Sequence, residues 1–208
     1  EGAETALKQL LLATNNAGKL EELKALLAEL PVELLSPVEA GITLEVDEDG
    51  ATYAENARKK ADEGVRLSGM PALGDDSGME VSALDGRPGV QSARFAGPEN
   101  KGNNQALIAA VLEQLGDRVR EAPVAVYRCV AVLALPDGRR FEGEGVLAGT
   151  IAAEPRGRRG FGYDPIFQLA DGRRMAELTL EEKNLLSHRA RAVNALEVHG
   201  AFDATMTS

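Results

Sequence analysis

Apolar and polar positions along this chain follow two periods, and the switches between them mark out the elements. Leu10-Leu11-Leu12-Ala13 is a short apolar run that breaks into Thr14-Asn15-Asn16-Ala17-Gly18, the pattern of a strand followed by a loop. From Lys19, apolar residues at Leu20, Leu23, Leu26, Leu27 and Leu30 predict a helix that Pro31 stops, and Val32–Leu35 reads as a second strand. Thr52 with Glu55 three residues on is a capping-box signature for a helix running to Ser68, with Tyr53, Ala57, Ala61 and Val65 on one face. Leu73-Gly74-Asp75-Asp76-Ser77-Gly78 is expected to be a glycine-bounded turn leading to a short strand at Met79–Val81.

After the turn Gly86-Arg87-Pro88-Gly89, helical spacing returns over Asn103–Leu115. Val124–Leu135 and Arg140–Leu147 flank Pro136-Asp137-Gly138, a hairpin signal. An Arg- and Gly-rich loop, Pro155–Gly162, leads into Tyr163-Asp164-Pro165. Thr179-Leu180-Glu181-Glu182 reads as a helix start, and Ser187 as the cap of a last helix carrying Ala190, Val193, Leu196 and Val198. Strand, helix, strand, helix, a strand-rich middle and closing helices predict a mixed-sheet α/β protein, without repeats or a low-complexity linker.

At 208 residues the chain fits one large domain or two closely joined lobes. Aromatics are only 4%, with no Trp, which disfavours stacking along single-stranded nucleic acid. A net charge of −10 opposes duplex DNA, but not a small phosphorylated ligand accompanied by Mg²⁺. Cys129, the only cysteine, lies in an apolar run and reads as a packed thiol, suited to a reducing cytosol. No apolar run reaches membrane-spanning length and no secretory leader is apparent, so the chain reads as soluble and cytoplasmic. The opening Glu1–Gln9, without an initiator Met, is expected to be disordered or an added lead.

Five local constellations carry chemistry, each with a structural alternative. Thr14–Lys19 joins a strand to a helix start, where N–H groups and the helix dipole suit phosphate, or else it is a cap with an exposed lysine. It is not a Walker A loop, which needs Gly at Ala13 and Ser or Thr at Leu20. Adjacent Asp75 and Asp76 resist joint ionisation unless they share a proton or cation, which points to Mg²⁺ and an activated water, or to a solvated turn. Asp47, Glu48 and Asp49 form an acidic loop that could complete a Mg²⁺ shell or be merely solvated. Gly160–Pro165 brings Phe161 and Tyr163 beside Asp164, for stacking on a base or for plugging a core. Lys183, His188 and Arg189 add donors, with a structural role the alternative for His188; His199 lacks supporting context.

Taken in order, Ala13–Lys19, Tyr53–Ala57, Asp75–Gly78, Pro88–Phe95, Gly160–Phe167 and Glu182-Lys183 with Ser187–Arg189 resemble the inosine triphosphate pyrophosphatase (Ham1-like) family over nearly the whole chain. The resemblance implies an elongated mixed β-sheet flanked by helices, with two lobes and a central substrate cleft, forming a homodimer. It implies Mg²⁺-dependent hydrolysis of non-standard purine nucleoside triphosphates such as ITP, dITP and XTP to the monophosphate and pyrophosphate. On these positions Thr14, Asn15, Asn16, Ala17, Gly18 and Lys19 would cradle phosphates. Asp76 would accept a proton and, with Glu48, hold the metal, Asp47 or Asp49 being alternatives to Glu48. Ser77 would touch substrate, Phe161, Gly162, Tyr163 and Asp164 would hold the base, and Lys183, His188 and Arg189 would complete that pocket. Arg158-Arg159 departs from the small residues common in relatives at that point. A non-catalytic nucleotide sensor and a pyrophosphatase for modified pyrimidine nucleotides are the rival readings.

Overall fold

The computed structural model describes residues 8–100 and 102–207. Its six strands are β1 (Lys8–Leu12), β2 (Val32–Leu35), β3 (Ala72–Val81), β4 (Val124–Ala134), β5 (Arg140–Ile151) and β6 (Phe167–Gln168). They form one mixed sheet in the order β2-β1-β3-β4-β5-β6. β1 runs parallel to β2 and β3, whereas β6 is antiparallel to β5. The α-helices are α1 (Ala17–Leu26), α2 (Tyr53–Ser68), α3 (Asn104–Leu115), α4 (Leu180–Leu186), α5 (His188–Val198) and α6 (Ala201–Thr207). The mixed α/β class read from the element order is the one found.

Helix boundaries follow local chemistry. Thr52 caps α2 by accepting from the Glu55 N–H at 3.2 Å, while the Glu55 carboxylate takes the Ala51 N–H at 2.7 Å. Thr179 and Glu182 bond reciprocally at the start of α4, at 3.2 and 2.8 Å. Ser187 caps α5, its hydroxyl accepting from the Ala190 N–H at 3.1 Å. Three expectations need correction. α1 ends at Leu26 and closes in a turn with Leu30 N–H on Leu27 C=O at 3.0 Å, because the residue before Pro31 is pushed out of helical geometry. β1 begins at Lys8, so Lys8 and Gln9 are strand residues, while Glu1–Leu7 lie outside the described residues.

The third correction matters most. Asp75 and Asp76 lie on no turn: β3 runs unbroken from Ala72 to Val81. Gly74 is there because α2 crosses against it. A Cβ at Gly74 would sit 2.6 Å from the Ala57 carbonyl oxygen and 2.7 Å from the Ala61 nitrogen, far inside contact distance. Successive strand side chains point to opposite faces, so the two carboxylates diverge and need share neither a proton nor a cation.

By contacts the chain falls into two compact units. The first comprises the chain up to Asp75, Val130–Gly143 and the chain from Val193 on; the second comprises Asp76–Cys129 and Glu144–Ala192. In the first, Leu11, Ala13, Leu44 and Ala72 form a buried cluster flanked by Ile42, Val46 and Val65. In the second, Met79, Val81, Leu107, Val111, Tyr127, Ile151, Ile166 and Phe167 belong to a larger core. Cys129 is fully buried, as a packed thiol should be.

Gly74→Ala is expected to lower the unfolding free energy by about 1–3 kcal/mol, since the opposing atoms are backbone and cannot swing aside. Urea denaturation checks this. An unchanged midpoint would mean that α2 does not bear on β3 at this residue.

Candidate active site

In the first unit the end of β1 passes through Thr14–Asn16 into α1. The Thr14 hydroxyl accepts from the Asn16 N–H at 3.2 Å, and Asn16 Oδ1, the cap, accepts from the Lys19 N–H at 3.1 Å. Asn15 Nδ2 donates to the Leu44 carbonyl at 2.7 Å and ties the loop to the segment before the acidic residues. Ala17 is exposed and Gly18 half-buried, so the positive first turn of α1 is open at its backbone.

Lys19 turns inward instead of standing free. Its Nζ lies 3.0 Å from Asp75 Oδ2, and Asp75 has no solvent exposure at all. Lys60, on α2, donates to the Asp75 carbonyl at 2.8 Å and pairs with Glu48 Oε2 at 2.8 Å. One ammonium thus draws the acidic loop onto the β3 backbone at Asp75. Of the three acidic candidates, Glu48 is the half-buried one held there, Asp47 is exposed, and Asp49 pairs with Lys59. Sequence reasoning passed over Lys60. Its signal was a lysine on the apolar face of α2, in line with Tyr53, Ala57, Ala61 and Gly64, all of them buried.

In the second unit the loop before β6 is organised by one carboxylate. Asp164, 2% exposed, accepts from the Phe161 N–H at 3.0 Å, from the Tyr127 hydroxyl at 3.0 Å and from Lys183 Nζ at 2.5 Å. Gly160 and Gly162 have φ near +71° and +61°, which lets the chain fold back over that carboxylate. Asn104, at the start of α3, accepts from the Gly162 N–H at 3.0 Å. The Phe161 ring is left half-exposed, with Lys183 Nζ 5.0 Å and Arg189 Cζ 5.6 Å from its centroid.

Arg189 is almost wholly buried and donates to the Ser77 hydroxyl at 2.9 Å, so β3 and α5 are joined through one of the expected site residues. His188 stacks on Tyr127 with centroids 4.6 Å apart, and Phe167 stacks on the same tyrosine at 4.2 Å. Tyr163 lies in the core, its hydroxyl donating to the Ser92 carbonyl at 2.7 Å, and burial pushes its phenol above the ordinary tyrosine range. Its side chain is a packing element of the loop. Tyr127, which no motif marked, holds both Asp164 and His188 in place.

These residues form two groups, one in each unit. The first has Thr14–Lys19, Glu48, Lys60 and Asp75; the second has Ser77, Phe161, Asp164, Lys183 and Arg189. A profile for the Ham1 family matches residues 10–199.

The chain belongs to the Ham1 family.

Individual Ham1 relatives agree. A dITP/XTP pyrophosphatase of Geobacter sulfurreducens is 47% identical over 194 residues, covering 93% of this chain and 96% of the relative. A HAM1 protein from Coxiella burnetii has a solved structure that is 37% identical with a TM-score of 0.81, covering 94% of this chain and 99% of that one. A nucleoside-triphosphatase, dITP/XTP pyrophosphatase, from Mycobacterium abscessus is 43% identical with a TM-score of 0.71, covering 90% and 98%.

In this Ham1 chain the buried Asp75 holds Lys19 at its carboxylate and Lys60 at its carbonyl, and the Asp164 carboxylate holds Lys183 and the Phe161 N–H, which makes both residues organisers of their surroundings. Asp76, the neighbour of Asp75 on β3, is 6% exposed and points to the other face of the strand. No helix among the described residues is long and apolar enough to cross a membrane.

Proposed function

We propose that this chain is a Mg²⁺-dependent nucleoside triphosphate pyrophosphatase. It hydrolyses ITP, dITP and XTP to the monophosphate and pyrophosphate, in the cytoplasm, and so clears deaminated purines from the nucleotide pool. The observation that carries this reading is the half-exposed Phe161 ring with Lys183 and Arg189 about it. That is an aromatic platform for a purine, bordered by side chains that only donate hydrogen bonds. Donors suit a 6-oxo group, whereas the 6-amino group of adenine would face them as another donor. The names of the curated relatives support the same substrate class.

The other roles follow from each group's chemistry. The open first turn of α1, with Ala17 and Gly18, offers backbone N–H groups and a positive dipole end to polyphosphate. Asp76 is read as the acceptor of the proton from the attacking water, because Asp75 is already committed to Lys19. Among the described residues no three His, Cys, Asp or Glu side chains form a preformed metal cluster. Mg²⁺ takes one or two carboxylates and completes its shell with water and substrate phosphate, so Glu48 and Asp76 fit as its protein donors. When bound, the ion would neutralise phosphate charge and acidify water. Everything else is positioning: Lys60 orients Glu48, and Tyr127 orients Asp164 and His188.

A homodimer is part of the same reading. The segment Pro88–Phe95 mixes apolar and Arg residues, with Val90 half-buried, though Phe95 also packs partly on the core of its own unit.

A phosphate-release screen over common and deaminated nucleoside triphosphates tests the reaction. Pyrophosphate should be the first product from ITP, dITP and XTP, ATP should be turned over poorly, and EDTA should abolish turnover. Orthophosphate as first product would contradict the assignment, and tight ITP binding without turnover would leave a nucleotide sensor. Sedimentation at micromolar concentration is expected to give about twice the 22.0 kDa chain mass; a single species at that chain mass would refute the dimer.

A further inference from the structure

The loop that runs into Phe161 carries Arg156, Arg158 and Arg159, and none of the roles above uses them. Elsewhere in this acidic chain several arginines hold carboxylates, as Arg58 does Glu142, Arg66 Glu63, Arg128 Glu80, Arg140 Asp62 and Arg173 Asp171, while Arg87, Arg118 and Arg191 are engaged by carbonyl or amide oxygens. Among the described residues Arg156, Arg158 and Arg174 take part in no ion pair, despite 33 acidic residues against 23 Lys and Arg.

Arg174 is the most telling of the three. It is 6% exposed, yet its guanidinium makes a single hydrogen bond, from Nη1 to the Gly172 carbonyl at 3.1 Å. Its Nε–H is buried without an acceptor. A buried donor left unmade is costly, so it marks either strain or an absent partner. Burial, and then the charge of Arg156, hold the Arg174 guanidinium below the ordinary arginine range, with Glu177 and Glu154 opposing. Two like charges are therefore kept near each other with no counter-ion bonded to Arg174.

The loop around them is firmly built. The Arg158 and Arg159 N–H groups both donate to the Ala176 carbonyl, at 3.2 and 3.1 Å. Arg159 Nη1 reaches the Glu177 carbonyl at 3.1 Å, and the Arg156 N–H reaches the Pro165 carbonyl at 2.9 Å. Gly157, with φ of +83°, lies so close to Ala176 that a side chain there would collide with backbone. Arg159 is thereby used in fastening the loop. Arg156 and Arg158 stay exposed beside the segment that carries Arg174.

We propose that Arg156, Arg158 and Arg174 form an oxyanion site for inorganic pyrophosphate or orthophosphate, on the loop that leads into Phe161. Guanidinium forks match the oxygen pairs of phosphate, and the orphaned Arg174 Nε–H is the donor such an anion would take up. Pyrophosphate, with more charge and more oxygens, should bind more tightly than orthophosphate. The site is argued from unpaired arginines alone and does not depend on the proposed reaction.

The test is an NMR titration of the arginine Nε–H resonances of the full chain, with EDTA present, using pyrophosphate and then orthophosphate. The resonances are assigned through Arg156→Lys, Arg158→Lys and Arg174→Lys. The Arg174 and Arg156 signals should shift saturably, at lower concentration with pyrophosphate. Arg156→Gln combined with Arg158→Gln, both exposed positions, should weaken the response of the Arg174 signal at least about tenfold. Arg174 and Arg156 signals that stay fixed while backbone signals of Ala17 and Gly18 move would overturn the proposal. So would an Arg174 response unchanged in the double variant.

Discussion

A carboxylate with no access to water has to be neutralised where it stands, and Asp75 is such a carboxylate. Lys19 meets it at 3.0 Å from α1, and Lys60 meets its carbonyl at 2.8 Å from α2. Removing one partner of a buried pair leaves a charge uncompensated, at a cost of about 3–5 kcal/mol. The relation fixes much of the first unit. It sets α1 and its open first turn, it sets α2 against Gly74, and through Lys60 it draws in Glu48. The chemistry proposed for Glu48 and for the α1 terminus rests on a charge that takes no part in it.

The second unit repeats the device with Asp164. Its three donors come from β4, from the turn after Gly160 and from α4, so one carboxylate gathers three segments around Phe161. Aromatic stacking of Tyr127 on His188 and Phe167 adds a rigid support beneath. Several residues that look like substrate contacts in sequence also build the frame that presents others. Asp164 and Tyr163 belong to the frame, as does the His188 ring; the α1 terminus and Phe161 are what the frame leaves accessible.

Local signals were the legible part of the fold. Thr52 with Glu55 and Thr179 with Glu182 each marked a helix start, and Pro136-Asp137-Gly138 marked the connection of β4 and β5. Gly74 misled, because a glycine needed for close approach looks the same in sequence as one needed for a turn. Reading β3 as a turn also set Asp75 and Asp76 side by side, when a strand sends them apart. Lys60 and Tyr127 stayed hidden for another reason. Their partners lie 15 and 37 residues away, so the pattern of α2 could mark Lys60 as an inward lysine without naming what it binds, and nothing local marked Tyr127. The motif residues drew notice as candidates because each stands in a short run of unusual composition.

The central claim is the division of labour between the two adjacent aspartates: Asp75 holds the first unit together and Asp76 does chemistry. Asp75→Asn and Asp76→Asn, each measured for urea stability and for pyrophosphate release from ITP, test it most directly. Asp75→Asn should lose about 3 kcal/mol of stability while keeping turnover per folded molecule within about tenfold. Asp76→Asn should keep its stability and lose at least about a hundredfold in turnover. A folded Asp76→Asn protein with near-normal turnover would contradict the account, as would an Asp75→Asn protein of full stability and no activity.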